Sequence, residues 1–115
     1  MLSVEREIII YSTREGREPF SDWIDDLSRD YADKISKRLL RVLLGNFGDF
    51  KSLGNGLYEL RFNEGLRVYY SQIDNVVVLL LAGGDKNTKR DQSRDIDKAK
   101  EYLSDYWERR NGQEI

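Results

Sequence analysis

Neither cysteine nor histidine occurs among the 115 residues of this chain, and there is a single proline. Without cysteine there is no disulfide framework and no thiolate metal site. The missing histidine excludes more. It removes the commonest general base near neutral pH and the commonest transition-metal ligand. Ser-His-Asp and Cys-His hydrolysis, histidine-dependent ribonuclease chemistry and most zinc chemistry go with it. An active site here is restricted to Lys, Arg, Tyr, Asp and Glu, and no metal or cofactor is expected. A long apolar run is also missing. The longest, Val76 to Ala82, is about a third of a membrane span. The start, MLSVEREIII, lacks a cationic region followed by a long apolar stretch, so it is not read as a signal peptide. The expected location is the cytoplasm. An excess of positive charge is absent too. Nineteen Lys and Arg stand against twenty-one Asp and Glu, for a formal net charge of −2. That counts against a passive nucleic-acid binder and leaves open an enzyme with a local basic pocket.

The length suits one domain over residues 1–115. Three β-branched residues, Ile8, Ile9 and Ile10, mark a buried strand within Glu5 to Ser12. Pro19 suits the first turn of a short helix ending near Leu27. A second helix, about Asp30 to Leu44, has Tyr31, Ile35, Leu39, Val42 and Leu43 as an apolar stripe, with Lys34, Lys37, Arg38 and Arg41 off it. The period then turns strand-like over Leu57 to Phe62 and Leu66 to Gln72. Asn63-Glu64-Gly65 forms a three-residue hairpin loop, and Asp74-Asn75 a second tight turn. Val76 to Ala82 reads as a central strand covered on both faces and ended by Gly83-Gly84. A last helix, about Asp91 to Trp107, buries Ile96, Ala99, Tyr102, Leu103 and Tyr106. Thr88 is placed to cap it, and Arg109 to Ile115 read as frayed. The order is strand, helical hairpin, three-strand meander and C-terminal helix. It implies an α+β fold with a small mixed, mainly antiparallel sheet and helices packed on one face.

A three-residue loop fixes the hairpin register. Phe62 pairs with Leu66, Arg61 with Arg67, Leu60 with Val68, Glu59 with Tyr69, and Tyr58 with Tyr70. Alternation sends Tyr58, Leu60, Phe62, Leu66, Val68 and Tyr70 to the helix-covered face. Glu59, Arg61, Arg67 and Tyr69 go to the other, expected to face solvent. Two arginines opposed across strands repel each other, but together they can seat a phosphate. A neutralised, solvated charged face is the competing reading. Trp23, Tyr31, Tyr58, Tyr70 and Tyr102 fall on expected core faces, which leaves Tyr69 as the candidate for stacking on a base. Asp85, Lys86, Lys89 and Arg90 follow the central strand and bring charge to the rim of the same face.

The segment GLYELRFNEGLRVYYSQIDNVVVLLLAGGDKNTKRDQSRDIDKAKEYL, with the order of elements, resembles the RelE/ParE toxin superfamily. Within it, the chain is most similar to phage-derived addiction-module killer proteins related to HigB. The resemblance covers nearly the whole chain. It is most specific in L-x-E-L-R, R-V-Y-Y, LLLAGGDK and D-I-x-x-A-x-x-Y. It implies a toxin paired with an antitoxin, a helix-turn-helix protein from the same operon. It also implies metal-independent, ribosome-dependent cleavage of mRNA through the RNA's own 2′-hydroxyl. The ParE branch instead inhibits DNA gyrase without nuclease activity, and a homologue that only binds its antitoxin is a third possibility. The resemblance places Arg61 at the RelE branch's phosphate-contacting arginine, Arg67 at the start of R-V-x-Y, and Asp85 and Lys86 where HigB toxins carry acid, aromatic and histidine groups. The chain departs from the pattern in having no histidine there, and only Lys51 where a lysine cluster precedes the hairpin. The implied catalytic set is Arg61, Arg67, Lys86, Asp85 and Glu59. The implied RNA-binding set is Lys51, Tyr69, Lys89 and Arg90. The arginines would stabilise the phosphorane, Glu59 or Asp85 would accept the proton, and Lys86 would donate one.

Overall fold

The structure, a computed structural model, describes residues 6–85 and 88–113. The elements run β1 (Glu7–Ile10), α1 (Pro19–Asp25), α2 (Arg29–Leu43), β2 (Phe50–Gly54), β3 (Leu57–Arg61), β4 (Leu66–Ile73), β5 (Val77–Asp85) and α3 (Lys89–Gln113). The five strands form one sheet in the order β1-β5-β4-β3-β2. β1 runs parallel to β5 and the other pairs are antiparallel, so the α+β class and the mixed, mainly antiparallel sheet hold.

The arrangement of helices differs from expectation. Helices cover both faces of the sheet, not one. α1 and α2 pack Phe20, Ile35 and Val42 on Leu60, Val68, Tyr70, Val78 and Leu80. On the opposite face α3 packs Ala99 and Leu103 on Tyr69, Leu79 and Leu81. β5 alternates between these two cores, as its unbroken apolar run required.

Five further differences are local. β2 was not expected, because Phe50-Lys51-Ser52-Leu53-Gly54 does not alternate. It is an exposed edge strand with a register shift between Ser52 and Gly54. β1 is also an edge strand, and Ile9 and Ile10 stay exposed rather than buried. β5 continues through Gly83 and Gly84, which pair with Val68 and Arg67. They are not terminators: a Cβ at Gly83 would lie 2.0 Å from the Trp23 ring, and one at Gly84 would lie 2.0 Å from Asp95 Oδ2. α3 runs to Gln113 instead of fraying after Trp107, because Arg109 is tied to Asp105 and donates to the Ser12 carbonyl. Tyr31, expected in the core, is exposed.

Other readings hold. The β3–β4 register is the one set by the loop, with Arg61 opposite Arg67, and Gly65 takes the left-handed conformation at φ +86°. Asp74 and Asn75 form the next turn at φ +54° and +61°, a geometry matching the twist of its strands. Thr88 Oγ1 accepts from the Asp91 N–H at 3.0 Å and caps α3.

Candidate functional site

The α3-facing surface of the sheet carries Glu59 and Arg61 on β3, Arg67 and Tyr69 on β4, and Gly84 on β5, in the rows dictated by pairing. It is not open to solvent as expected. Tyr69 is 0% exposed, Glu59 2% and Arg67 6%. Tyr69 therefore lies in the α3 core, and burial raises its pKa further above the usual phenol range. A ring so placed cannot stack on a base, and that expectation is corrected. Arg67 is likewise corrected from a surface group to an interior one. Its Nη1 donates to the carbonyls of Leu66 at 2.9 Å and Phe62 at 3.3 Å, which ties it to the hairpin loop. Its Nε lies 3.2 Å from Glu59 Oε1. The other oxygen, Glu59 Oε2, accepts from Gln92 Nε2 of α3 at 3.2 Å.

Arg61 is different. Its Nε approaches Glu59 only to 3.6 Å, and its side chain is 38% exposed. Glu59 therefore serves Arg67 first, and Arg61 keeps an accessible guanidinium on a strand held from below. Arg38 adds to that support: its Nη1 donates to the Arg61 carbonyl at 3.0 Å, and its Nε and Nη2 donate to Phe47 O at 3.0 and 2.9 Å. The structure thus brings Glu59, Arg61 and Arg67 together. Lys51, opposite Glu59 on β2, joins the same row from the exposed edge.

The remaining expected residues do not join them. Asp85 is exposed at the end of β5. Lys89 and Arg90 are exposed in the first turn of α3. Lys86 lies outside the described residues. Gln92 reaches β3 while Asp95, three residues on, sits on Gly84 of β5. The first turns of α3 therefore cross above β4 and separate Arg61 from a second cleft. That cleft is lined by Trp23, Gly84, Asp85, Asp91, Arg94 and Asp95. Within it the Asp95 carboxyl is pushed above its ordinary range, first by burial, then by the like charges of Asp91 and Asp85, with Arg94 opposing.

Gln92, Asp95 and Arg38 were not read from the sequence as site residues. A signal for the first two exists. Counted from the Thr88 cap, Gln92, Asp95, Ile96 and Ala99 share one helical stripe, so two polar side chains continue the buried face of α3.

A family model described as phage-derived protein Gp49-like matches residues 22–104. The chain belongs to the phage-derived Gp49-like family. An uncharacterized protein of Haemophilus influenzae is 45% identical over 84 residues, covering 70% of this chain and 82% of the relative. Among solved structures, a double arginine-to-alanine variant of the E. coli toxin RelE in the free state aligns with a TM-score of 0.57 at 18% identity. The alignment covers 84% of this Gp49-like chain and 98% of that one. At that identity the likeness is one of fold. Among the described residues, no helix is long and apolar enough to cross a membrane.

Proposed function

We propose that this Gp49-like chain is the toxin of a type II toxin–antitoxin pair, of the HigB-like kind. It acts as a metal-independent, ribosome-dependent mRNA endoribonuclease, its antitoxin being a helix-turn-helix protein of the same operon. The observation that carries this reading is Arg61, an accessible guanidinium on a rigid strand whose nearest carboxylate is committed to Arg67. Such a group grips phosphate oxygens and stays charged through the reaction. In the proposed reaction the 2′-hydroxyl loses its proton, its oxygen attacks the adjacent phosphorus, and the 5′-oxygen leaves with a proton. Glu59 is buried and bound on both oxygens, which makes it a poor acceptor. Asp95, whose raised pKa suits proton transfer nearer neutrality, takes that role, with Asp85 beside it. Lys86 is kept as the proposed donor. Arg67 positions Glu59 and the loop instead of touching phosphate. Because α3 separates Arg61 from Asp95, its first turn has to shift for both to reach one phosphate, which suits a site completed on the ribosome.

Induction without antitoxin, followed by primer-extension mapping of cellular mRNA, tests the reading. Codon-linked breaks are expected. The same cover of α3 over Arg67 and Tyr69 favours a second reading, a non-enzymatic ParE-like gyrase inhibitor, for which gyrase-dependent DNA breaks would appear instead. Neither kind of break would leave a homologue that only binds its antitoxin.

A further inference from the structure

On the far side of the β3–β4 hairpin lies a second charged feature. A groove between α2 and the hairpin is lined by Lys34, Lys37, Arg38 and Arg41, and by Asp49 and Arg61 from the sheet side. The four cations that α2 brings to the groove stand three and four residues apart, a spacing at which like charges weaken a helix. They gather on one face in a chain whose net charge is −2.

The groove is built, not merely decorated. The Arg38 guanidinium donates to the carbonyls of Phe47, Asp49 and Arg61 and lies 4.9 Å from the Phe62 ring centre. Gly48, at φ +67°, makes room for it, since a Cβ there would stand 3.0 Å from Arg38 Nε. Among the described residues its charge is met by carbonyl oxygens and no carboxylate stands within ion-pair distance, the Asp49 carboxylate acting on it from further off. Lys34 is paired with Glu64. Lys37 and Arg41 are exposed, and no ion pair holds either of them among the described residues.

We infer that this groove binds the phosphodiester backbone of single-stranded RNA, through Lys37 and Arg41 over the fixed charge of Arg38. A protein partner would be expected to bring apolar anchors into a pocket. The only apolar side chain here, Phe62, is buried beneath Arg38. Cations without apolar anchors suit a sequence-independent phosphate track. RNA is chosen over DNA because Arg61 borders both the groove and the proposed cleavage site, so the choice rests on the ribonuclease reading above.

The test is fluorescence anisotropy with a labelled single-stranded RNA of about 12 nucleotides, within the usual site size for one domain. Full-length wild type is compared with Lys37→Gln/Arg41→Gln and with a charge-matched control, Lys98→Gln/Lys100→Gln on α3. Both sites of the groove variant are exposed, and thermal melts confirm that each protein is folded. Loss of two backbone contacts should reduce the salt slope by about 1.4 and weaken binding roughly 25-fold near 100 mM salt, while the control stays close to wild type. Equal loss in both variants, or no loss in the groove variant, overturns the inference. Tighter binding of a DNA strand of the same sequence overturns the choice of RNA. A poly-glutamate peptide that binds as tightly, with the same dependence on Lys37 and Arg41, makes the groove a dock for acidic protein and also overturns it. Binding is read without cleavage, so a chain that leaves mRNA intact on induction yet shows the groove effect fails only the catalytic reading.

Discussion

The two faces of the sheet are buried to the same depth by different chemistry. Under α1 and α2, Leu60, Val68, Tyr70, Val78 and Leu80 are almost fully excluded from water and all are apolar or aromatic. Under α3, the same holds toward the C-terminal half of the helix, where Ala99 and Leu103 meet Tyr69, Leu79 and Leu81. Its first turns instead rest on Glu59 and Gly84 through Gln92 and Asp95, with Arg67 buried beside Glu59. Apolar burial is favourable area by area. Burial of charge costs desolvation and is tolerated only while every partner stays in place. The front of α3 therefore depends on a complete set of contacts, and it is the part of the molecule that can be released at least cost in apolar area.

The largest expected effect tests that dependence. Glu59→Ala strands Arg67 inside the protein and should cost about 3–5 kcal/mol. Leu60→Ala, the next residue along β3 but on the apolar face, should cost about 2–5 kcal/mol by leaving a cavity. Urea unfolding of both variants makes the comparison. A double replacement, Glu59→Leu with Arg67→Met, should recover most of the first loss, since a buried pair exchanged for apolar groups of similar volume is close to neutral. If Glu59→Ala costs under about 1 kcal/mol, water reaches Arg67 and the two faces are not as different as their burial suggests.

The same contrast explains what could be read from the sequence. The apolar face was legible because strand alternation and a three-residue loop together fix both register and side. Tyr58, Leu60, Phe62, Leu66, Val68 and Tyr70 all fall where alternation puts them. Glu59, Arg67 and Tyr69 were assigned to the correct face, but that face was taken to be open. Charged residues on a strand normally mark solvent, and nothing local announces a helix returning 25 residues later to cover them. The helix itself held the clue, in the continuation of its apolar stripe through Asp95 and Gln92. β2 was hidden for a related reason. As an edge strand beside Glu59 and Tyr58 it needs no apolar pattern of its own, and edges commonly carry charge. The placement of Arg61 opposite Arg67 could be read, because it follows from register alone.

Arg61→Ala should leave stability within about 0.5 kcal/mol, as for other half-exposed substitutions. In the proposed reaction it should reduce ribosome-dependent cleavage roughly 100-fold, the order expected when one transition-state donor is removed. Arg67→Ala should behave in the opposite way, losing stability before any specific loss of chemistry can be measured. Two variants with equal catalytic defects and unchanged melting would return Arg67 to the phosphate and undo its assignment as an interior strut.

A smaller effect is expected at the far end of α3. There Asp105 accepts from the Tyr11 hydroxyl at 2.5 Å and pairs with Arg14 at 2.9 Å and Arg109 at 2.7 Å. These contacts hold the Asp105 carboxyl below its ordinary range. Burial first, then the hydrogen bond to Asp105, pushes the Tyr11 phenol up to about 12, with Arg109 opposing. Because the folded pKa is lowered, the stabilisation is full above the ordinary carboxylate range and is lost as pH falls through the lowered value. Asp105→Asn should lower Tm slightly at neutral pH, and the difference from wild type should close in acid. A difference that persists unchanged at low pH would mean that packing, not charge, holds this end.

The smallest effect has the opposite sign. Asp95 is pushed above its ordinary range by burial and by Asp91 and Asp85, so the folded chain disfavours its charged form. A group whose folded pKa is raised in this way destabilises the fold once the pH exceeds that pKa. It contributes nothing below the unfolded value, where both states are protonated. Asp95→Asn keeps the shape that fits over Gly84 and removes the charge. At neutral pH it should therefore raise stability, by no more than about 0.5 kcal/mol once solvent screening of a partly exposed carboxylate is allowed for. The gain should fade as the pH drops through the folded pKa toward the unfolded one. Thermal melts of the two proteins across the acid range give the difference directly. Loss of stability at neutral pH would mean that the carboxylate is held by favourable contacts at the front of α3. That half of the helix would then be anchored by charge as firmly as the C-terminal half is by Asp105.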